Sequence, residues 1–273
     1  MKDRAGWPRS RKLPGGLTLR ALIPNAITSA ALCCGLTGIR FAIGGEWEKS
    51  VIAVILAGML DGIDGRIARL LKAQSRFGAE LDSLSDSISF GVAPALILFL
   101  WSLQQVPRLG WFAALAFAIC MTLRLARFNA LIDLPDEPRK QAGFLTGVPA
   151  PVGAGLAFLP LYLWIATGGS NGGNAFFRQP EVVGVWLFVI AFLLISSVAT
   201  LSWKSLRPRR SVRLELIALF GITFAALLSE PWLTLVGICV LYLLMIPYGM
   251  FSYARVKRQR AGRAEAEGSP PSL

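Results

Sequence analysis

Four aspartates fall within one stretch, DGIDGRIARLLKAQSRFGAELDSLSD, as Asp61, Asp64, Asp82 and Asp86. On a helix, residues three or four apart share a face, so Asp61 pairs with Asp64 and Asp82 with Asp86. If the two helices are antiparallel neighbours joined near Leu71 to Phe77, the four carboxylates converge. Converging carboxylates repel unless a cation sits between them. An all-oxygen donor set suits a hard divalent ion such as Mg²⁺ or Mn²⁺. Two such ions are a common apparatus for displacement at phosphorus. The plainer alternative is a solvated loop that happens to carry four charges. The apolar segments on either side argue against it, because acids inside membrane segments are costly and tend to be functional.

The elements that must position these acids are long apolar segments. The chain has 273 residues, of which 16% are charged, and a mean hydropathy of +0.57. That is the composition of an all-α polytopic membrane protein, and it excludes an ordinary soluble domain. Eight apolar segments are expected, at roughly 22–43, 50–71, 79–103, 111–130, 148–167, 181–203, 212–228 and 231–252. Each can cross about 30 Å of hydrocarbon. The first is long and lacks a small-residue cleavage site, so it reads as a retained span. Trp47, Trp101, Trp111, Trp203 and Trp232 lie at segment ends and read as interface anchors.

The net charge is +12, but the basic residues cluster between apolar segments, which suits anionic lipid better than nucleic acid. With a cytoplasmic N-terminus, 24 of the 28 Lys and Arg fall in inside regions. Only Lys49, Arg108 and Arg178 fall outside, and Arg40 lies within the first span. This asymmetry predicts an inner-membrane protein with both termini, and the acid stretch, on the cytoplasmic side. The chain contains no His, so acid–base and metal work must fall on carboxylates. Cys33, Cys34, Cys120 and Cys239 lie inside apolar segments without zinc spacing and read as buried thiols. The expected divisions are a basic arm or interfacial helix over 1–21, a catalytic membrane core over 22–203, two added helices over 204–253, and a basic, disordered tail over 254–273.

Around the acids, Gly65 and Ala68 are small enough to let a ligand or a second backbone come close, or simply to pack helices. Arg69 can clamp a phosphate or serve as an inside charge. Gly78 opens the third span, where a close helix crossing would need it. The full spacing is Asp61-x2-Asp64-Gly65-x2-Ala68-Arg69-x8-Gly78-x3-Asp82-x3-Asp86. At every defined position it resembles the signature of the CDP-alcohol phosphatidyltransferases.

That resemblance implies a six-helix core and two divalent cations, Mg²⁺ or Mn²⁺, held by the four acids. It implies Asp61, Asp64 and Asp82 as metal ligands, and Asp86 as a ligand and the catalytic base. Gly65, Ala68 and Arg69 would face the cytidine diphosphate of a CDP-lipid, and the alcohol acceptor would displace CMP. Pro24-Asn25-x2-Thr28 resembles a further family element, with Asn25 and Thr28 as candidate contacts of the CDP-lipid or as a helix start. RLARFN places Arg124, Arg127 and Asn129 at an inside helix end, where they can hold an acceptor carboxylate or act as plain basic residues. GVPAP, Gly147 to Pro151, is expected to bend the backbone beside the cavity.

With FGAELDSLSDSISFGVAPA, these elements are similar to the integral-membrane branch that uses serine as acceptor, although Val148 stands where that branch usually has Leu. The implied reaction takes the phosphatidyl group from CDP-diacylglycerol to serine, in the bilayer, by a homodimer. Sister acceptors are glycerol 3-phosphate, inositol phosphate and choline. An intramembrane prenyltransferase would need a second acidic motif, yet the loop at 204–213 has no acid. A cation transporter would need acids along a path across the membrane, whereas these cluster at one face.

Overall fold

The computed structural model describes residues 19–132, 144–146, 148–196, 199–201 and 213–247. The N-terminal arm before residue 19, the basic stretch 202–212 and the tail after 247 lie outside the described residues. The chain forms two compact units, Met1–Trp101 and Ser102–Leu273.

In the first unit, α1 (Leu19–Ile43) and α2 (Trp47–Leu70) form an antiparallel hairpin, and α3 (Arg76–Asp86) returns parallel to α1. Arg20 to Leu22 belong to α1 itself and form no separate surface helix. The seam is built from small side chains. Ala31, Gly35, Gly38 and Ala42 recur every three or four residues along α1, and Ala31 and Ala42 are buried. A Cβ at Gly35 would lie 2.6 Å from Ser89 Oγ and 2.9 Å from Ser89 Cα. Opposite Gly38, the Ser50 hydroxyl donates to the Gly38 carbonyl at 2.7 Å. Close backbone approach of this kind is how helices associate in lipid, where burial of apolar surface gives little drive.

The third apolar segment is not one regular helix. A π-helical turn, Ser87–Val92, separates α3 from α4 (Ala93–Trp101). Phe90, Ile97, Leu98 and Trp101 are buried there. Trp101 therefore departs from the expectation of an interface anchor. Its side chain is 0% exposed.

The second unit holds α5 (Pro107–Ile132), α6 (Ala150–Ala157), α7 (Leu159–Ala166), α8 (Pro180–Ile195), α9 (Arg213–Ser229) and α10 (Pro231–Pro247). One short antiparallel pair, β1 (Phe144–Thr146) with β2 (Ala199–Leu201), is the exception to helix among the described residues. The fifth expected span is broken at Phe158, just before Pro160, whose missing N–H and ring interrupt the helical ladder. In GVPAP, Pro149 instead caps the start of α6 and Pro151 lies in its first turn, where proline is tolerated. Gly147 lies outside the described residues. Trp186 Nε1 donates to the Leu156 carbonyl at 2.9 Å, tying α8 to α6.

Three helical stretches, Arg20–Ile43, Arg76–Trp101 and Pro107–Ala130, are long and apolar enough to cross a membrane. Shorter apolar helices occur at Pro180–Ile195, Ile217–Ser229 and Pro231–Pro247. The fold is all-α and polytopic, as composition predicts. All four cysteines are free thiols.

Candidate metal centre

The acids occupy the end of the α2–α3 hairpin. Ser75 caps α3, accepting from the Gly78 amide at 3.0 Å. Lys72 adopts a left-handed φ of 50° in the turn between the helices. The turn brings one ligand oxygen each of Asp61, Asp64 and Asp82 within 4.8 Å of one another. The Asp61 carboxyl also lies against those of Asp82 and Asp86. All four aspartates therefore converge as their spacing predicts. Asp64 is 4% exposed, and the other three are half-buried.

Two partners absent from the spacing argument hold this centre. The Thr28 hydroxyl, 4% exposed, lies 2.5 Å from Asp64 Oδ2 and 3.0 Å from the Pro24 carbonyl. The Ser85 hydroxyl donates to the Thr28 carbonyl at 3.3 Å. Together they lace α1, α2 and α3 around one carboxylate. No local pattern announces such contacts, since Thr28 and Asp64 are 36 residues apart.

The remaining candidates surround the acids unevenly. A Cβ on Gly78 would meet Asn25 Oδ1 at 3.0 Å, so Gly78 provides the tight crossing expected of it. Gly65 faces open space, and a Cβ added there would meet no atom within 4 Å. Ala68 is half-buried, and Arg69 is exposed one turn beyond Gly65. Arg124, Arg127 and Asn129 belong to α5 in the second unit. There Arg127 Nη1 donates to the Ile195 carbonyl at 3.0 Å and caps the end of α8.

The donor set fits a divalent cation. It consists of carboxylate oxygens alone, and the groups that act on the Asp61, Asp82 and Asp86 carboxyls are one another and Asp64, with no Lys or Arg among them. Positive charge brought from outside the chain would relieve their mutual repulsion.

A helical, polytopic membrane protein with an oxygen-only acidic centre at a helix hairpin is the class these features define. The chain belongs to the CDP-alcohol phosphatidyltransferase family. Residues 21–196 match the family profile of that description, and residues 212–247 match a second, CDP-alcohol phosphatidyltransferase 2. The family generally uses divalent metals.

The chain is similar to proteins named CDP-diacylglycerol–serine O-phosphatidyltransferase in several organisms. The Mycobacterium tuberculosis protein is 35% identical over 251 residues, covering 90% of this chain and 83% of that protein. The Mycobacterium leprae protein is 35% identical, covering 89% of this chain and 78% of its own length. The Bacillus subtilis protein is 36% identical over 64% of this chain and 88% of its own.

Proposed function

We propose that this protein transfers the phosphatidyl group from CDP-diacylglycerol to L-serine, giving phosphatidylserine and CMP. The observation that carries the reading is the convergence of Asp61, Asp64, Asp82 and Asp86 in a chain of this family. In this reading Asp61, Asp64 and Asp82 are metal ligands, and Asp86 is both a ligand and the base. Asn25, Gly65, Ala68, Arg69 and Gly78 line the CDP-lipid subsite. Thr28 belongs to the same subsite and holds Asp64.

Asp86 accepts the proton of the serine hydroxyl. The serine oxygen bonds to the β-phosphorus as the bond from that phosphorus to the bridging oxygen breaks, and CMP leaves with that oxygen. The four aspartates would hold two divalent cations, Mg²⁺ or Mn²⁺, which when bound would neutralise charge at the diphosphate. Thr28 and Ser85 keep Asp64 in its rotamer, so that the cluster is pre-organised before substrate arrives. Open space at Gly65 leaves room for the nucleotide to approach the α2 backbone. Arg69, which is exposed one turn beyond Gly65, would meet a phosphate in this reading. Arg124 and Asn129 receive the serine carboxylate, with Arg127 fixing the end of α8 beside them.

The protein lies in the inner membrane with its termini and acids facing the cytoplasm, as the distribution of Lys and Arg suggests. Residues 22–203 form the catalytic core, and 204–253 contribute two added helices. The acting unit is a homodimer, an expectation of the family resemblance that size measurement in nanodiscs tests.

Purified protein given CDP-diacylglycerol and Mn²⁺ should release CMP when serine is added. Release with glycerol 3-phosphate, inositol phosphate or choline, but not with serine, would overturn the acceptor and leave the family.

A further inference from the structure

The connection between α7 and α8 carries a pocket. Gln105, Trp164, Ser170, Arg178 and Gln179, with glycines of the loop, line an open cavity of about 540 Å³. All of them belong to the second unit. Gln105 lies two residues before α5, and Gln179 one residue before α8. At the other end of the same helices, Arg127 of α5 holds the Ile195 carbonyl that closes α8. With 16 residues in α8, the pocket lies about 24 Å from that end. It shares no residue with the CDP-lipid subsite or with the acceptor residues.

The loop is held in place. Ser102, 0% exposed, donates its hydroxyl to the Arg178 carbonyl at 2.7 Å. The Asn174 amide donates to Thr167 Oγ1, and Asn174 Oδ1 accepts from the Phe176 amide, each at 3.0 Å. Gly168 and Gly172 take φ of 120° and 127°, which other residues rarely adopt. A Cβ on Gly173 would lie 2.7 Å from the carbonyl oxygens of Gly169 and Trp164. Within this frame the Arg178 guanidinium sits over the Trp164 ring, 5.4 Å from its centroid. An interface anchor needs that stacking, but not the cavity beside it.

The lining narrows the ligand. It offers an arginine, two side-chain amides and a hydroxyl, and it contains no Asp or Glu. A guanidinium meets a phosphate through paired N–H donors. An ammonium headgroup would find no carboxylate there. Further along the two helices, Phe112 of α5 meets Phe188 of α8, with ring centroids 5.7 Å apart. Both rings are exposed, as are Leu109 and Val185. A cationic, polar hollow at the end of an exposed apolar wall suits a molecule with a phosphate head and apolar chains.

We propose that this pocket holds the phosphate of an anionic phospholipid. Arg178, Gln105 and Gln179 donate to the phosphate oxygens, and the acyl chains lie against α5 and α8. The ligand does not depend on which leaflet the pocket faces.

The test is native mass spectrometry of the full-length, delipidated protein, titrated with dioleoylphosphatidylglycerol, dioleoylphosphatidylcholine or inorganic phosphate. Phosphatidylglycerol should bind the parent and raise its melting temperature. Arg178→Gln should weaken that binding roughly tenfold or more, the effect of losing a hydrogen bond to a charged group. Gln105→Ala leaves the Arg178–Trp164 stack in place and should weaken it about fivefold, as for one neutral hydrogen bond. Failure of the parent to bind, or equal binding in the parent and both variants, overturns the site. A lower melting temperature in Arg178→Gln with lipid binding unchanged makes the arginine an anchor alone. Phosphatidylcholine binding as tightly as phosphatidylglycerol overturns the choice of an anionic lipid. Inorganic phosphate that displaces the lipid and gives the same rise in melting overturns the lipid as its source. Serine-dependent CMP release is read separately, so the proposed function stands or falls apart from this site.

Discussion

Thr28 on α1 and Asp64 on α2 share a buried hydrogen bond of 2.5 Å, although 36 residues separate them. The bond turns a plain membrane helix into part of the metal centre. It also makes the first helix testable by chemistry as well as by packing.

Thr28→Val keeps the shape and removes the hydroxyl. Mn²⁺ affinity, read by electron paramagnetic resonance, should fall about 10–100-fold, the usual effect of losing a partner of a metal ligand. Thr28→Ser should restore most of it. Equal Mn²⁺ binding in all three proteins would detach Thr28 from the centre.

Asp86→Asn removes the assigned base while keeping the side-chain volume. Turnover should drop about 10²–10⁴-fold, the range for a general base. Asp82→Asn should also stop CMP release, by weakening metal binding. Both variants should insert into membranes and elute as the parent does. Either one retaining full turnover would strip that residue of its role.

Chelation offers an independent check. Protein stripped with EDTA should release no CMP, and added Mg²⁺ or Mn²⁺ should restore release. Full activity in the stripped protein would contradict the fit of the clustered carboxylates to a divalent ion.

Gly35→Ala tests the α1 seam. Its methyl would fall within 3 Å of Ser89 backbone and side chain, so the helices must part. A loss of about 1–3 kcal/mol is expected, seen as a lower melting temperature in detergent. Gly221→Ala, with nothing within 4 Å, should leave melting unchanged or raise it slightly.

The acid cluster was legible in the sequence because helical periodicity is local. Three- and four-residue spacing put each pair on a face, and a short turn had only to fold one helix back on the other. The apolar segments were legible for the same reason, and each of the eight contains helix among the described residues, although 148–167 is broken at Phe158 and 181–203 is helical only to Ile195. The Thr28–Asp64 bond was not, since it depends on which helices become neighbours. Neither was the burial of Trp101, because a Trp at a segment end looks alike whether protein or lipid surrounds it. The break at Phe158 did carry a signal in Pro160.

The π turn at Ser87–Val92 begins one residue after Asp86. Such a turn accommodates one residue more than an α-helix would, and each residue advances an α-helix by about 100°. The apolar half of the segment and its acidic half are thereby phased separately, like two gears on one shaft with a slipped tooth between them. Mutational drift in the apolar half can retune packing without rotating Asp82 and Asp86 away from their partners. Deleting a single residue from the turn would force both halves onto one phase and cost the protein either its core or its chemistry.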